Sequence, residues 1–374
     1  MLKKKQILGA KIQKMSVTTK SEAAVSQISK SEETSAPIRK TQVTPLNEPD
    51  IDEQIKLVLV TGANGFIGSA LCPILVEAGF EVRRAVRTEK LAIDGEIVAV
   101  GNINANTDWS NALQDVDVVI HLASRVHMLN DTSPDPLSEF RKVNLEGTRK
   151  LAQAAVAQGI KRFIFVSSVK VCGEENTPRR PYTESMKPQP RDPYGISKWE
   201  AEQVVLEIGA SSGMEVVCVR PPIVYGVGVG ANFLRLIKLI ERGIPLPLGN
   251  TGNQRSMVYV KNLCDFLKTC LWHPDAVGEI FLVSDNHDLS TTELIRRIAL
   301  HLDKSPLLLP VPGWLVSIPA SLIGKQNIVM RLWGSLVIDI RKACETLNWT
   351  PPFSVDEGIA ETVKWHQSQS WRQE

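Results

Sequence analysis

The segment IKLVLVTGANGFIGSALCPILVEAGF, residues 55–80, contains an apolar run, a glycine-rich turn and a helical pattern in direct succession. Residues 55–63 are a short apolar run that ends in small residues, which is typical of a buried strand. Residues 65–80 then carry apolar side chains at helical spacing and stop at Gly79. This order predicts the first strand, turn and helix of a βαβ unit.

The same alternation continues along the chain. Strand patterns lie at 81–87, 96–100, 116–123 and 162–168, and helical patterns lie at 138–158, 193–212 and 231–242. Short strands that alternate with helices indicate a parallel sheet covered by helices on both faces. The predicted fold class is α/β: a Rossmann doubly wound parallel sheet with a smaller C-terminal α/β substrate-binding region.

The turn TGANGFIG, residues 61–68, places glycines at Gly62, Gly65 and Gly68. Glycine is needed where backbone reaches positive φ or approaches a phosphate closely. The helix that follows directs free N–H groups and its positive dipole end toward such an anion. The spacing is GxxGxxG, not the commoner GxGxxG, but it follows a strand and opens a helix. The turn therefore predicts a dinucleotide-binding site.

Composition restricts the class of protein. The chain has 374 residues, 43% hydrophobic and 22% charged, with a formal net charge of +2. This is a globular composition, and it gives no case for nucleic acid or an anionic membrane as the main partner. The six cysteines form no CxxC pair and no cluster with histidine at metal-ligand spacing. We interpret them as reduced thiols of a cytoplasmic protein without a metal site.

Two segments differ from the rest. Residues 1–54 are rich in Ser, Thr, Lys and Glu and contain no aromatic residue, which predicts a disordered N-terminal extension or a start codon assigned too far upstream. Residues 306–324 are strongly apolar but are interrupted by three prolines and Gly313. This favours a helix packed on the protein over an integral membrane span, with peripheral membrane contact as the alternative.

The segment DPYGISK, residues 192–198, sets Tyr194 and Lys198 four residues apart on a predicted helix. A tyrosine has a pKa of about 10, so acid–base work near neutral pH needs about 4 kcal/mol of phenolate stabilisation. A lysine one turn away supplies part of that, and the positive charge of a nicotinamide cofactor can supply more. The alternative is an ordinary polar pair on a solvated helix.

Several motifs occur together and in order: GxxGxxG, HLAS (121–124), NLEGT (144–148), SSVKVCG (167–173) and YGISK (194–198). Over roughly residues 56–368 the chain resembles the extended short-chain dehydrogenase/reductase family. Its nucleotide-sugar epimerases, dehydratases and ketoreductases are the most similar in layout. The resemblance implies a nucleotide-binding core at about 55–225 and a substrate-binding part mainly at 226–368.

The resemblance also implies site residues. Tyr194 is the expected acid/base, Lys198 tunes its pKa and binds the cofactor ribose, and Ser168 holds the substrate oxygen. In the family the residue at the position of Asn144 lies beside the cofactor. The alternative is a core asparagine whose hydrogen bonds are all made within the protein. The expected cofactor contacts are Gly62, Gly65, Phe66, Ile67, Gly68, Arg87, Asn102, Leu122, Ala123 and Lys198, and the expected substrate contacts are Ser168, Tyr194, Asn232 and Arg255.

The second strand, EVRRAVR, lacks the acidic residue that usually binds the ribose 2′-OH of NAD. Val86 holds that place and Arg87 follows, with Arg83 and Arg84 nearby. An arginine there pairs well with a 2′-phosphate. We therefore favour NADP(H), and NAD(H) stays open because these arginines can also be merely solvated.

The motif RPPIVYG, residues 220–226, has Ile223 where the hexose epimerases of the family carry an asparagine. Together with the missing acid, this favours a reductase that reduces the C4 ketone of a UDP-4-keto-6-deoxy-N-acetylhexosamine. The product would be UDP-N-acetylquinovosamine for surface polysaccharide synthesis. The alternative is a UDP-glucose or UDP-N-acetylglucosamine 4-epimerase with tightly held NAD, and a non-catalytic nucleotide sensor is a third. The resemblance is also compatible with a homodimer.

Overall fold

The computed structural model describes residues 55–88, 95–126, 133–313, 315 and 332–370. The predicted extension at 1–54 lies outside these residues, as do residues 314 and 316–324 of the apolar segment. The helices found in the described part include none long and apolar enough to cross a membrane.

The strands are β1 (Leu57–Thr61), β2 (Glu81–Val86), β3 (Glu96–Ala99), β4 (Val118–His121), β5 (Arg162–Val166), β6 (Glu215–Arg220), β7 (Ile223–Tyr225), β8 (Met257–Tyr259) and β9 (Ile280–Leu282). The helices are α1 (Phe66–Glu77), α2 (Ser110–Leu113), α3 (Pro136–Arg141), α4 (Thr148–Ala157), α5 (Pro193–Ser212), α6 (Ala231–Glu241), α7 (Val260–Trp272), α8 (Thr291–His301), α9 (Arg341–Leu347) and α10 (Val355–Ser370).

Seven of these strands form one parallel sheet in the order β3-β2-β1-β4-β5-β6-β9. Strand β1 lies inside the sheet between β2 and β4, and all five of its residues are buried. A parallel strand covered by helices on both faces needs such continuous apolar character. The prediction of a doubly wound parallel sheet is confirmed.

The two faces of β1 bury into different clusters. Val58 and Val60 pack with Leu71 and Leu75 of α1 on one side. Leu59 packs with Leu151 of α4 on the other side. Because side chains alternate along a strand, one five-residue strand anchors helices on both faces.

The helix predicted at 138–158 is not one regular helix. It consists of α3, a π-helical turn at Lys142–Gly147, and α4. A Cβ added at Gly147 would lie 2.5 Å from Cγ2 of Ile103, so glycine permits the close approach of this turn to the loop after β3. π-helical turns often occur at functional sites, and this one contains the buried Asn144.

The predicted boundary near residue 225, between a nucleotide-binding core and a substrate-binding part, does not separate two regions of the fold, because later segments return to the large sheet. Strands β7 and β8 form a separate parallel pair, as a smaller C-terminal region requires. However, α7 packs against α1, and β9 then joins the edge of the large sheet beside β6. Part of the segment predicted to bind substrate therefore completes the nucleotide-binding layer.

All six cysteines are free, five of them buried and Cys344 half-buried. The described residues contain no cluster of His, Cys, Asp and Glu able to hold a metal ion.

Candidate active site

The carboxyl ends of the parallel strands bring several predicted site residues to one edge of the sheet. Parallel strands end at the same edge, and the crevice there is where α/β sheets bind ligands. The order of the strands in the sheet sets the order of these residues along that edge. From β3 to β5 they are Asn102, Arg87, Gly62, Ala123 and Ser168.

The glycine turn is shaped by close backbone contacts. Gly62 has φ +67°, and a Cβ on it would lie 2.9 Å from the backbone nitrogen of Ala123. A Cβ on Gly68 would lie 2.4 Å from the carbonyl oxygen of Gly62. The first turn of α1 has no side-chain cap and no acidic residue, and Gly65 is its exposed N-cap. Phe66 and Ile67 follow, half-buried, and the uncapped N–H groups fit a dinucleotide diphosphate.

A buried histidine links this turn to the next helix. His121 Nδ1 lies 2.7 Å from Thr61 Oγ1, and its Nε2 lies 2.9 Å from Thr148 Oγ1. The same threonine hydroxyl of Thr61 accepts a hydrogen bond from the backbone N–H of Ala123 at 3.2 Å. Burial lowers the pKa of His121 to about 3, so its ring is neutral. His121 is a structural residue that fixes the loop after β4.

The start of α5 places Tyr194 next to Ser168. Asp192 caps α5 by accepting a hydrogen bond from the Gly195 N–H at 2.6 Å. A Cβ on Gly195 would lie 2.9 Å from the Lys170 carbonyl oxygen, so glycine lets α5 approach the turn after Ser168. The side chains of Ser168 and Ser124 lie close enough to Tyr194 to act on its hydroxyl. The structure thus brings together Tyr194, the predicted acid/base, and Ser168, which was predicted to hold the substrate oxygen.

The expected lowering of the Tyr194 pKa by Lys198 is not found. Burial raises the pKa of Tyr194 to about 12, and the charge of Asp192 acts in the same direction. Hydrogen bonds with Ser168 and Ser124 oppose that rise. Desolvation dominates at this position, and Lys198 is not among the groups that shift the Tyr194 pKa. Lowering of this pKa with the help of a bound nicotinamide stays a prediction. The phenol therefore keeps its proton at neutral pH.

Lys198 is directed at the sheet. Its Nζ donates to the Val166 carbonyl oxygen at 2.7 Å and lies 4.0 Å from the centre of the Phe165 ring. Burial lowers the pKa of Lys198 to about 7, and the charge of Glu202 one turn later opposes this. Lys198 is 1% exposed, so the alternative of a solvated surface pair is excluded.

A titration tests the protonation of the phenol. The pKa of each of the four tyrosines lies above its ordinary value because of burial. Ultraviolet difference absorbance of the native protein should therefore show no phenolate below about pH 10. Since the unfolded chain releases these protons first, the free energy of unfolding should fall as pH rises above about 10. A phenolate that titrates near neutral pH in the native protein would contradict the raised pKa.

Two residues of the site were not on the list of predicted contacts. Ser124 is the last residue of HLAS and contacts Tyr194. Asn144 donates to the Ser197 hydroxyl at 3.0 Å and accepts from the Arg125 N–H at 2.8 Å. It thereby ties the loop that carries Ser124 to the helix that carries Tyr194. The HLAS and NLEGT motifs contain both residues, but their spacing says nothing about these contacts.

The three arginines around β2 have different surroundings. Arg83 donates to Glu96 at 2.7 Å and to two backbone carbonyls. The guanidinium of Arg84 lies against Gly95 and interacts with Cys72. Both are buried and occupied within the protein, so neither is available to a ribose phosphate. Arg87 is exposed at the end of β2, and Asn102 is exposed after β3.

The predicted substrate contacts of the C-terminal region lie on α6 and just before β8. Asn232 is exposed in the first turn of α6. Arg255 is half-buried before β8, and its side chain donates to the Gly334 carbonyl oxygen at 2.9 Å. Leu122 and Ala123 are half-buried in the loop after β4. The contacts described for Asn232 and Arg255 do not include Tyr194 or Ser168.

Comparison with known proteins agrees with this arrangement. The model of the NAD dependent epimerase/dehydratase family matches residues 58–284. A Vibrio cholerae protein named UDP-glucose 4-epimerase is 45% identical over 83% of this chain and 95% of its own length. An Escherichia coli O157:H7 protein named N-acetyl-alpha-D-glucosaminyl-diphospho-ditrans,octacis-undecaprenol 4-epimerase is 28% identical over 82% of this chain and 94% of its own.

Solved structures share the fold. UDP-glucuronic acid 4-epimerase from Bacillus cereus, solved with NAD, has a TM-score of 0.68 at 23% identity and covers 84% of this chain and 99% of its own. MoeE5, solved with UDP-glucuronic acid and NAD, has a TM-score of 0.68 at 24% identity, with 83% and 99% covered. The motifs, the parallel sheet and the full-length relative agree, and the chain belongs to the NAD-dependent epimerase/dehydratase family.

Proposed function

We propose that the protein is a UDP-sugar 4-epimerase that works with NAD. The observation that carries the proposal is the group of half-buried Ser168 and Tyr194 and buried Lys198 at the strand edge that also holds the glycine turn. The 45% identical relative named UDP-glucose 4-epimerase, matched over 95% of its length, supports this reaction over others of the family. The fold and motifs also support cytoplasmic nucleotide-sugar metabolism as its setting.

The roles follow from the contacts. A bound nicotinamide dinucleotide supplies hydride exchange with C4 of the sugar. Tyr194 would hold the proton that moves to and from the C4 oxygen. Ser168 and Ser124, whose side chains act on the Tyr194 hydroxyl, would hold that oxygen by hydrogen bonds. Lys198 lies one turn from Tyr194 on α5, where its ammonium group would bind the ribose and stabilise the phenolate during proton transfer. Asn232 and Arg255 remain proposed contacts of the sugar and the diphosphate.

The raised pKa of Tyr194 fits both directions of this chemistry. In the protein alone the phenol is protonated, so it is ready to donate a proton to a C4 ketone. Proton removal from a C4 hydroxyl needs added positive charge next to the phenol. An oxidised nicotinamide carries such a charge, which links the basic form of Tyr194 to a loaded site.

NAD is the cofactor that the comparisons favour, because the family is named for NAD and the similar solved structures hold NAD. The earlier preference for NADP rested on three arginines, and two of them are occupied within the protein. Only Arg87 retains an exposed position next to the ribose site among the three.

The second candidate is a 4-ketoreductase that acts on a UDP-4-keto-6-deoxy-N-acetylhexosamine. Ile223, which replaces the asparagine of the hexose epimerases, is 45% exposed on β7. An apolar side chain there suits a 6-deoxy sugar better than one with a C6 hydroxyl. The exposed Arg87 suits exchangeable NADPH.

One experiment separates the two candidates. The purified protein is denatured, the released dinucleotide is assayed, and the native protein is incubated with UDP-glucose and UDP-N-acetylglucosamine without added cofactor. Retained NAD and conversion to the C4 epimer, followed by NMR, are the expected results. An empty site and NADPH consumption that depends on the UDP-4-keto-6-deoxy sugar would replace the epimerase by the ketoreductase.

A further inference from the structure

A surface at the C-terminal end of α6 combines exposed aliphatic side chains with cations. Its residues are more than 40 positions from Tyr194 in the sequence. We call it the basic–leucine surface and define it by Lys238, Leu239, Arg242, Ile244, Leu307 and Leu309. All six side chains are exposed. None of them has a role in the chemistry proposed above.

The helix itself is strongly two-sided. Phe233, Ile237 and Ile240 are buried against the protein. Lys238, Leu239 and Arg242 occupy the opposite face, because residues three and four apart share one side of a helix. The buried face already packs α6 against the protein, so the exposed Leu239 contributes little to that packing.

Backbone pairing adds more apolar side chains to this surface. Ile244 donates its N–H to the Leu239 carbonyl at 3.2 Å, which turns the chain directly after α6. Two residues later Leu246 pairs with the segment that holds Leu307 and Leu309, through bonds of 2.8 Å in each direction. Leu307 is 55% exposed and Leu309 is 49% exposed, although Leu246 and Leu248 beside them are buried.

The described residues do not neutralise the two cations on this surface. Among the described residues, neither Lys238 nor Arg242 forms an ion pair. The nearest carboxylate in sequence, Glu241, is bound to His366 at 2.9 Å. A local patch of this kind is compatible with a formal net charge of only +2, since a membrane is met by one face of the molecule.

We propose that the basic–leucine surface docks the enzyme peripherally on an anionic lipid membrane. Leucines enter the boundary between head groups and acyl chains, while cations meet the negative lipid phosphates around them. Charge complementarity selects this occupant over a second copy of the chain, because two such surfaces would bring like charges together. This proposal does not rest on the identity of the sugar or of the cofactor.

Vesicle co-sedimentation of the full chain tests the proposal. Phosphatidylcholine vesicles with one-quarter phosphatidylglycerol should bind the protein, and pure phosphatidylcholine vesicles should bind it much more weakly. Lys238→Gln/Arg242→Gln should weaken partitioning about thirtyfold, from about fivefold per cation at an anionic surface. Leu307→Ser/Leu309→Ser should weaken it about tenfold by removing apolar insertion. Salt should weaken the wild type, since the Debye length falls from about 10 Å at 0.1 M to about 3 Å at 1 M.

Matched controls remove the same chemistry elsewhere. Lys161→Gln/Lys187→Gln removes two exposed cations outside this surface, and Val76→Ser/Val277→Ser removes two exposed apolar side chains. Both should partition like the wild type. Thermal unfolding and turnover of soluble UDP-sugar should be the same for every variant, which shows that each one folds.

Three results would overturn the proposal. The first is a wild-type protein that does not bind anionic vesicles, and the second is binding that no variant of the surface reduces. The third is a dimer, seen by sedimentation velocity, that Leu307→Ser/Leu309→Ser dissociates, because the surface would then be an interface between copies.

Discussion

Replacing Tyr194 by phenylalanine should lower kcat about 10²- to 10⁴-fold, because the variant lacks the only hydroxyl proposed to move a proton at C4. The change removes one oxygen from a half-buried residue whose hydroxyl is influenced by the side chains of Ser168 and Ser124. The ring can stay in place, since it packs edge-on against Phe140 with 6.1 Å between ring centres. KM should therefore change little, and steady-state kinetics on the epimerised sugar measures both constants.

Tyr182→Phe is the matched control. Its hydroxyl is also largely buried and donates to the Glu175 carbonyl oxygen at 2.6 Å, outside the site. Loss of that bond should cost about 1 kcal/mol of stability and leave turnover unchanged. Near-normal turnover of Tyr194→Phe would show that the assignment of the proton donor is wrong.

Replacing Glu202 by glutamine should lower the free energy of unfolding by about 3–5 kcal/mol. Glu202 and Arg220 form a fully buried pair with two hydrogen bonds of 2.9 and 2.6 Å. Removal of one charge leaves the Arg220 guanidinium desolvated without its counter-ion, and this uncompensated charge is the main cost. Urea unfolding followed by fluorescence measures the loss.

Two further variants separate the pair from ordinary ion pairs. Glu202→Leu/Arg220→Met removes both charges and should recover most of the stability lost in the single variant. Asp356→Asn breaks the largely exposed contact with Arg297 and should cost at most about 1 kcal/mol. If Glu202→Gln costs no more than Asp356→Asn, the buried pair does not have the proposed weight.

Glu202 also acts on the site through Lys198. Its negative charge one turn away counteracts the burial that lowers the pKa of Lys198. In Glu202→Gln the Lys198 pKa should fall further, so the ammonium form should be lost at a lower pH. The alkaline limb of the pH profile for kcat/KM should move to lower pH, an effect that loss of stability alone does not produce.

Local patterns in the sequence were sufficient for the architecture. The apolar run at β1, the glycine turn and the helical spacing of α1 are each set by neighbours within a few residues. Their alternation then requires a parallel sheet, because both faces of each strand must be covered. The motifs around Ser168, Tyr194 and Lys198 likewise indicated the site, since parallel strands end at one edge.

Long-range contacts decided what those residues can do. Arg83 donates a hydrogen bond to Glu96, and the guanidinium of Arg84 lies next to Gly95 and interacts with Cys72. Neither arginine is therefore available to bind a ribose phosphate. Asn144 ties the loop that carries Ser124 to the helix that carries Tyr194, and it lies in a π-helical turn that periodicity did not reveal.

The protonation of Tyr194 shows the difference most clearly. The spacing of YGISK placed Lys198 one turn away, and this spacing predicted that the lysine, together with a nicotinamide cofactor, lowers the pKa of the tyrosine. In the folded protein without cofactor, burial is the main influence and raises that pKa to about 12. Sequence alone determined which residues meet at the site, because spacing and strand order are local. The tertiary structure decided their charge states, because desolvation depends on everything packed around them.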